Sequence, residues 1–250
     1  MPPRSDDERR ILAVLPAWNE EQSVAATIRE LKQACPDVDV LVVDDGSADR
    51  TAEEASAAGA PVCRLPFNLG VGGAMRAGFR YALNHDYDVV VQVDADGQHD
   101  PSYIPTLVKA LDHADVVIGA RFAGEGSYAA RGARRWAMLL LAFVLSRLAH
   151  TRLTDVTSGF RAADRRAIRV FATHYPAEYL GDTVESLVIA LRVGLTVTQE
   201  PVSMRVRAGG QASQSPVRAA AYLARAMVAL GLALVRKWPT ALETPPKEEQ

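Results

Sequence analysis

The first half of the chain alternates short apolar runs with amphipathic stretches. Ile11–Pro16 is uncharged and apolar, and Val38–Val43 is almost pure Val and Leu. Pro61–Leu65, Asp88–Val93 and Val116–Gly119 read the same way, as short buried strands. Between them, Glu20–Gln33 carries Val24, Ile28 and Leu31 at helical spacing, and Thr51–Ala58, Ala74–Asn84 and Ile104–Asp112 also predict helices. Strands that are apolar throughout and separated by helices imply an α/β fold: a mostly parallel sheet with both faces covered. Ligands of such sheets bind beyond the carboxyl ends of the strands.

The second half is less regular. Arg131–Ala149 predicts a helix with a basic start, Thr157–Asp164 a turn and short strand, Arg165–Phe171 and Thr183–Val193 helices, and Thr196–Val206 a strand. Pro216–Trp238 predicts a last long helix. The expected organisation is a flexible start over 1–9, one folded domain over 10–213 that includes the helix 131–149, an amphipathic helix over 214–238, and a loose tail over 239–250. Trp136–Ser146 is shorter than the roughly 20 residues a spanning helix needs, and Arg225 interrupts Ala219–Val235. Both stretches have Arg, Lys or Trp at their ends. They suit either two core helices or two helices lying on a membrane surface.

Bulk properties narrow the classes. The 250 residues carry a net charge of −2, which excludes bulk nucleic-acid binding. Met1–Arg10 lacks the apolar core of a secretory leader. The two cysteines, Cys35 and Cys63, lack metal or redox spacing and read as buried thiols in a reducing, cytoplasmic compartment.

The chemistry concentrates at strand ends. In Val91–Pro101, VQVDADGQHDP, Asp94 and Asp96 follow a strand and Gln98 comes two residues later. This compact oxygen set suits Mg²⁺ or Mn²⁺, which fill their remaining positions with water and phosphate oxygens. The alternative is a solvated acidic turn. In Pro16-Ala17-Trp18-Asn19-Glu20-Glu21, Asn19 and the two acids suit a helix start, while Trp18 and Glu20 suit a nucleotide's ring and hydroxyls. In Asp44-Asp45-Gly46-Ser47, capping explains Ser47 or Asp49, and leaves Asp44 and Asp45 unexplained. A carboxylate there can accept N–H groups from a nucleobase. The glycine-rich Asn68–Ala74, with Gly70, Gly72 and Gly73, favours anions at a helix start but lacks the glycine spacing of a dinucleotide fingerprint.

Taken in order, PAWNEE, VVDDGSADRT, NLGVGGAMRAGF, DADGQHDP, GARF, TSGFRA and EPVSMRVRAGG resemble the inverting family 2 glycosyltransferases, and within them the dolichol-phosphate mannose synthase-like branch. The resemblance covers about Ile11–Ser213. It implies a GT-A fold: a Rossmann-like nucleotide-binding half joined to an acceptor half. It implies that Pro16, Trp18, Glu20, Val43, Asp44, Asp45, Gly73, Asp94, Ala95 and Asp96 line the nucleotide-sugar pocket. Asp96 and Gln98, with Asp94, would hold the metal. Asp94, Asp96, Arg121 and Arg207 would act at the diphosphate. Ser158, with Arg131, Arg134 or Arg135, would meet the acceptor's phosphate. Asp182 and Glu185 would serve as a base for a hydroxyl acceptor or merely face solvent.

The implied activity is metal-dependent transfer of a hexose from UDP-glucose or GDP-mannose to polyprenyl or dolichyl phosphate. The glycine-rich segment leans towards UDP-glucose. Two alternatives stay open: transfer to a sugar or glycerate hydroxyl, and a non-catalytic nucleotide-sugar-binding scaffold subunit. The expected setting is peripheral, at the cytoplasmic face of the membrane, alone, as a homo-oligomer, or beside a small integral-membrane partner.

Overall fold

The computed structural model of the protein describes residues 9–121, 133–176 and 182–205, with side chains throughout except at 133–138 and 182. β1 (Ile11–Ala17), β2 (Asp39–Asp44) and β3 (Val62–Arg64) alternate with α1 (Val24–Ala34) and α2 (Thr51–Ala57). α3 (Gly70–Asn84), β4 (Val89–Gln92), α4 (Ile104–Ala110) and β5 (Val116–Arg121) follow. The second half contributes α5 (Ala133–Ala149), β6 (Arg161–Asp164), α6 (Arg165–His174), α7 (Asp182–Arg192) and β7 (Val197–Val202).

The strands form one seven-stranded sheet in the order β3-β2-β1-β4-β6-β5-β7. β6 runs antiparallel to both neighbours, β4 and β5, and every other pairing is parallel. Residues alternate between the two faces of each strand, so both faces need cover. On one face Leu12, Val14, Leu41 and Val43 pack with α3, α5, α6 and α7, through residues such as Met75, Leu141, Phe171 and Leu187. On the other, Ala13, Leu15, Val40 and Val42 pack with Ile28 of α1, Ala55 of α2 and Leu107 of α4. This is the three-layer α/β arrangement that the apolar runs imply.

Two readings shift. α3 begins at Gly70, four residues before the predicted start at Ala74, because the glycines themselves form its first turn. At Gly73 a Cβ would come within 2.4 Å of Leu69 Cβ, so the turn tolerates no side chain there. Cys35 is buried, but Cys63, on the edge strand β3, is only half-buried. Among the described residues no helix is long and apolar enough to cross a membrane. The expected segments 214–238 and 239–250 lie outside the described residues.

Candidate active site

The strand order reverses at β1: β2 and β3 lie on one side and β4 on the other. Such a switch point opens a crevice at the strands' carboxyl ends. Trp18 follows β1 at that crevice and Asp94 follows β4, with the Val93 N–H bonded to Val14 O at 3.0 Å.

The loops after β1 and β2 are laced together. Asn19 sits at φ 55°, its N–H donates to Ser47 Oγ, and its Oδ1 accepts the Ala48 N–H, both at 2.9 Å. The Glu20 N–H donates to Thr51 Oγ1 at 2.8 Å, and the Glu20 carboxylate accepts the Ser23 hydroxyl at 2.7 Å. Asn19 thus joins two loops instead of capping α1. Trp18 stays 52% exposed and offers an open ring face.

Asp44 ends β2 and Asp45 follows it. Asp44 is fully buried; its Oδ1 accepts the Ser47 N–H at 3.0 Å, while Oδ2 has no hydrogen-bond donor and lies 3.4 Å from Arg64 Nε. Asp45 accepts the N–H groups of Leu69 and Gly70 at 2.7 and 2.8 Å, so it caps α3 from the loop after β2. Burial raises the Asp45 pKa, against the lowering effect of those two N–H groups and with added repulsion from Asp44. Gly46, at φ 69°, allows the Phe67–Asn68 backbone to pass within 2.7 Å of where a Cβ would stand. The side chain of Val43 is wholly buried in the core, so only its backbone can flank a ligand.

The DADGQHD loop is pinned on both sides. Thr27 Oγ1 of α1 donates to Ala95 O at 3.1 Å. On the other side the Arg205 N–H donates to Gln98 O at 2.9 Å, and the Arg205 guanidinium joins Asp100 and Glu30. Asp96 turns the loop by accepting the Gln98 N–H at 3.0 Å, with Gly97 at φ 76°. A strand-end carboxylate is expected to be solvated, yet Asp96 is 7% exposed because the loop folds over it. Asp94 is partly open. Among the described residues no three His, Cys, Asp or Glu gather as metal ligands. Asp94, Asp96 and the Gln98 amide remain the oxygen donors that this loop offers. That is a sparse oxygen set of the kind Mg²⁺ completes with phosphate and water.

The TSGF segment reaches this loop because β6 inserts between β4 and β5. A Cβ at Gly159 would stand 3.3 Å from both Asp94 carboxylate oxygens and 3.0 Å from Gln92 Nε2. Ser158 is buried, and its hydroxyl accepts the Phe160 N–H at 3.3 Å. Arg121, at the end of β5, is held bidentately by Asp155, at 2.6 Å through Nε and 3.1 Å through Nη2. Burial alone would raise the Asp155 pKa, but the bonds and charge of Arg121 outweigh it, and the net shift is downward. Glu185 is half-buried on α7. The side chains of Arg134, Arg135 and Asp182, and all of Arg131 and Arg207, lie outside the described residues.

Three further residues organise the site without a signal in the sequence pattern. Asp155 fixes Arg121. Arg161, buried, donates to the carbonyls of Val156, Ser158 and Thr183 at 2.7, 2.7 and 2.8 Å, joining the TSGF turn to α7. His99, buried, accepts the Asp94 N–H at Nδ1 at 3.0 Å and stacks its ring on Phe160. Only an arginine or histidine inside a motif already singled out could have hinted at the last two.

Comparison with known proteins identifies the family and the fold. Residues 12–171 match the sequence model described as glycosyl transferase family 2. The undecaprenyl-phosphate mannosyltransferase of Micrococcus luteus is 36% identical over 218 residues, covering 82% of this chain and 88% of its own. The polyprenol monophosphomannose synthase of Mycolicibacterium smegmatis is 31% identical, covering 83% of this chain and 82% of its own. Glucosyl-3-phosphoglycerate synthase of Mycobacterium tuberculosis, solved with Mn²⁺, UDP and its product, shares the fold at a TM-score of 0.71 and 23% identity, covering 92% of this chain and 82% of that one. The chain belongs to glycosyl transferase family 2, as a GT-A-fold glycosyltransferase of the dolichol-phosphate mannose synthase-like branch.

Proposed function

We propose that this protein transfers a hexose, mannose before glucose, from a nucleoside diphosphate to a polyprenyl monophosphate. The observation that carries the reading is the approach of Gly159 to Asp94: it brings the TSGF turn against the carboxylates of the DADGQ loop at the switch point. A donor bound across Trp18 and Asp94, over the loop held by the buried Asp44 and Asp45, would then present its anomeric carbon towards TSGF. The names of two relatives favour mannose over the glucose suggested by the glycine-rich segment, and both relatives are named for a polyprenyl acceptor.

In this reading Asp94, Asp96 and Gln98 would hold a divalent cation, Mg²⁺ or Mn²⁺. When bound, that cation neutralises charge developing on the leaving diphosphate. Arg121, oriented by Asp155, and Arg207 add positive charge for the same purpose. A phosphate monoester with a second pKa near 6 is mostly dianionic at neutral pH and is already a nucleophile. Asp182 and Glu185 therefore need not remove a proton for this acceptor. In-line attack inverts the anomeric centre. Ser158, Arg131, Arg134 and Arg135 are the groups proposed for the acceptor phosphate.

Delivery of a lipid acceptor calls for a membrane surface. Leu139, Leu140 and Phe143 of α5 are exposed, Phe143 at 64%, and follow the basic stretch that begins at Arg131. We place this face at the headgroup boundary, cytoplasmic side. The test is turnover with two donors, GDP-mannose and UDP-glucose, and two acceptors, undecaprenyl phosphate in vesicles and 3-phosphoglycerate in solution. Lipid-dependent release of GDP supports the reading. Release that requires 3-phosphoglycerate and ignores the lipid would overturn it.

A further inference from the structure

We infer that the outer face of the α3, α5 and α6 layer is a docking surface for an anionic lipid bilayer, with Arg80, Arg147 and Arg169 as its electrostatic contacts. The inference deepens the proposed use of a lipid acceptor and rests on it. Charge is divided unevenly between the two sides of the sheet. On one side, α3, α5 and α6 hold two, three and three arginines and no Asp or Glu. On the other, α1, α2 and α4 balance Arg29, Lys32 and Lys109 against Glu30, Glu53 and Glu54. α7, the fourth helix of the basic layer, is mostly buried, with Glu185 half-buried and Arg192 exposed at its end. The whole chain carries −2, so the basic face reflects placement and not composition. Segregated charge of this kind gives the surface a field of one sign.

Phe79 of α3 packs on Phe171 and Tyr175 of α6, with ring centroids 5.1 and 5.2 Å apart, and Arg165 at the start of α6 pairs with Asp86 just after α3. The two helices therefore lie side by side and antiparallel. Arg165 and Arg166 are engaged by Asp86, Asp88 and Asp115. Arg80, Arg147 and Arg169 are exposed, and among the described residues none of the three has an ion-pair partner. Arg147 continues the exposed stripe of α5 formed by Leu140 and Phe143, at spacings of three and four residues. An apolar stripe that ends in arginine suits the boundary between acyl chains and anionic headgroups, whereas a nucleic acid or a soluble polyanion has no use for the apolar part. α3 begins at the crevice, where Asp45 caps it. With this face on the bilayer, the crevice at the strand ends opens along the membrane plane. A lipid phosphate then reaches the site by lateral movement at headgroup depth.

Cosedimentation with phosphatidylcholine vesicles, with and without phosphatidylglycerol, tests the surface. Wild type should bind the anionic vesicles at least about tenfold more tightly, and added salt should erase the difference. Arg80→Gln with Arg169→Gln should lower that affinity at least about tenfold, since each basic group near an anionic surface contributes about fivefold. Arg29→Gln with Lys109→Gln, on the opposite side of the sheet, is the matched control and should stay within about twofold of wild type. All four positions are exposed, so both pairs keep the fold, which thermal melting verifies. Equal losses in the two pairs, or no loss in either, would overturn the inference. So would wild-type binding that ignores salt, a result that needs no variant. Turnover on a water-soluble short-chain polyprenyl phosphate separates the docking surface from the reading beneath it. The Arg80 and Arg169 pair should match wild type on that acceptor, and a matching loss there would move these arginines from docking to the site. Wild type that uses the soluble acceptor but shows no preference for anionic vesicles sinks the docking surface alone. Wild type that transfers to no polyprenyl phosphate sinks both.

Discussion

Arg121 and Asp155 face each other as a two-point pair, guanidinium Nε and Nη2 against both carboxylate oxygens, joining the end of β5 to the turn that leads into TSGF. The Arg121 N–H and the Thr157 hydroxyl bond the same carboxylate at 3.3 and 3.2 Å. Asp155 is thus the hub of its turn. Removing it in Asp155→Ala should cost about 1.5 kcal/mol, the low end for a charged hydrogen bond, because Arg121 is 41% exposed and its charge is partly screened. The folded-state pKa of Asp155 is depressed. Its contribution is therefore present above the unfolded carboxyl value, about 3.9, and is lost as pH falls through the folded value. Denaturant titrations should show wild type and Asp155→Asn well separated at pH 7 and converging in strong acid. A constant gap down to pH 2 would contradict the pairing.

Gly159→Ala probes the contact between TSGF and the DADGQ loop. The added methyl would come within 3.0–3.3 Å of Gln92 and Asp94, so the Asp94 carboxylate must move by a few tenths of an ångström. Donor turnover should fall by about tenfold to a hundredfold, as for small misplacements of a reacting group, while global stability changes by less than about 1 kcal/mol. Steady-state kinetics beside thermal melting reads both. Unchanged turnover would separate the two loops functionally.

Asp96→Asn keeps the shape and the acceptor for the Gln98 N–H while removing an anionic oxygen. Turnover should drop on the order of a hundredfold, the scale for loss of a key electrostatic group, with the fold intact by circular dichroism. EDTA should reproduce that loss in wild type and add little in the variant. Full activity of Asp96→Asn in EDTA would eliminate the metal.

The exposed face of α5 can be tested by flotation with anionic vesicles at low salt. Wild type should float, and the pair Leu140→Glu with Phe143→Glu should reduce flotation at least about tenfold, since burying two charges in place of apolar side chains is strongly unfavourable. Binding of the nucleoside diphosphate should persist in the variant. Equal flotation of both proteins would move the membrane contact off α5.

The parts of this fold legible in the sequence are those set by local pattern. β1, β2 and β4 are continuous apolar runs because helices cover both faces, and their ends carry the acids that mark the crevice. β6 matches the short strand expected within Thr157–Asp164, but its antiparallel insertion between β4 and β5 is decided by tertiary pairing that no local pattern shows. The early start of α3 was hidden because glycine is a poor helix former. Asp45 compensates by accepting two N–H groups at that helix start from the loop after β2, 24 and 25 residues away in sequence. The same distance rule hid Asp155, whose partner Arg121 lies 34 residues away, and the reach of Arg161 to Thr183, 22 residues away.

The central claim, sugar transfer onto a lipid phosphate, is tested most directly by the phosphorus chemistry of the product. The protein is incubated with Mn²⁺, GDP-mannose and short-chain polyprenyl phosphate, and the acceptor phosphorus is followed by NMR. Attack by the phosphate oxygen converts the monoester signal to that of a glycosyl phosphodiester as GDP accumulates, and the change should be absent with Asp96→Asn. A monoester signal that persists while GDP-mannose is consumed, with the sugar recovered on a hydroxyl or in water, would contradict the account.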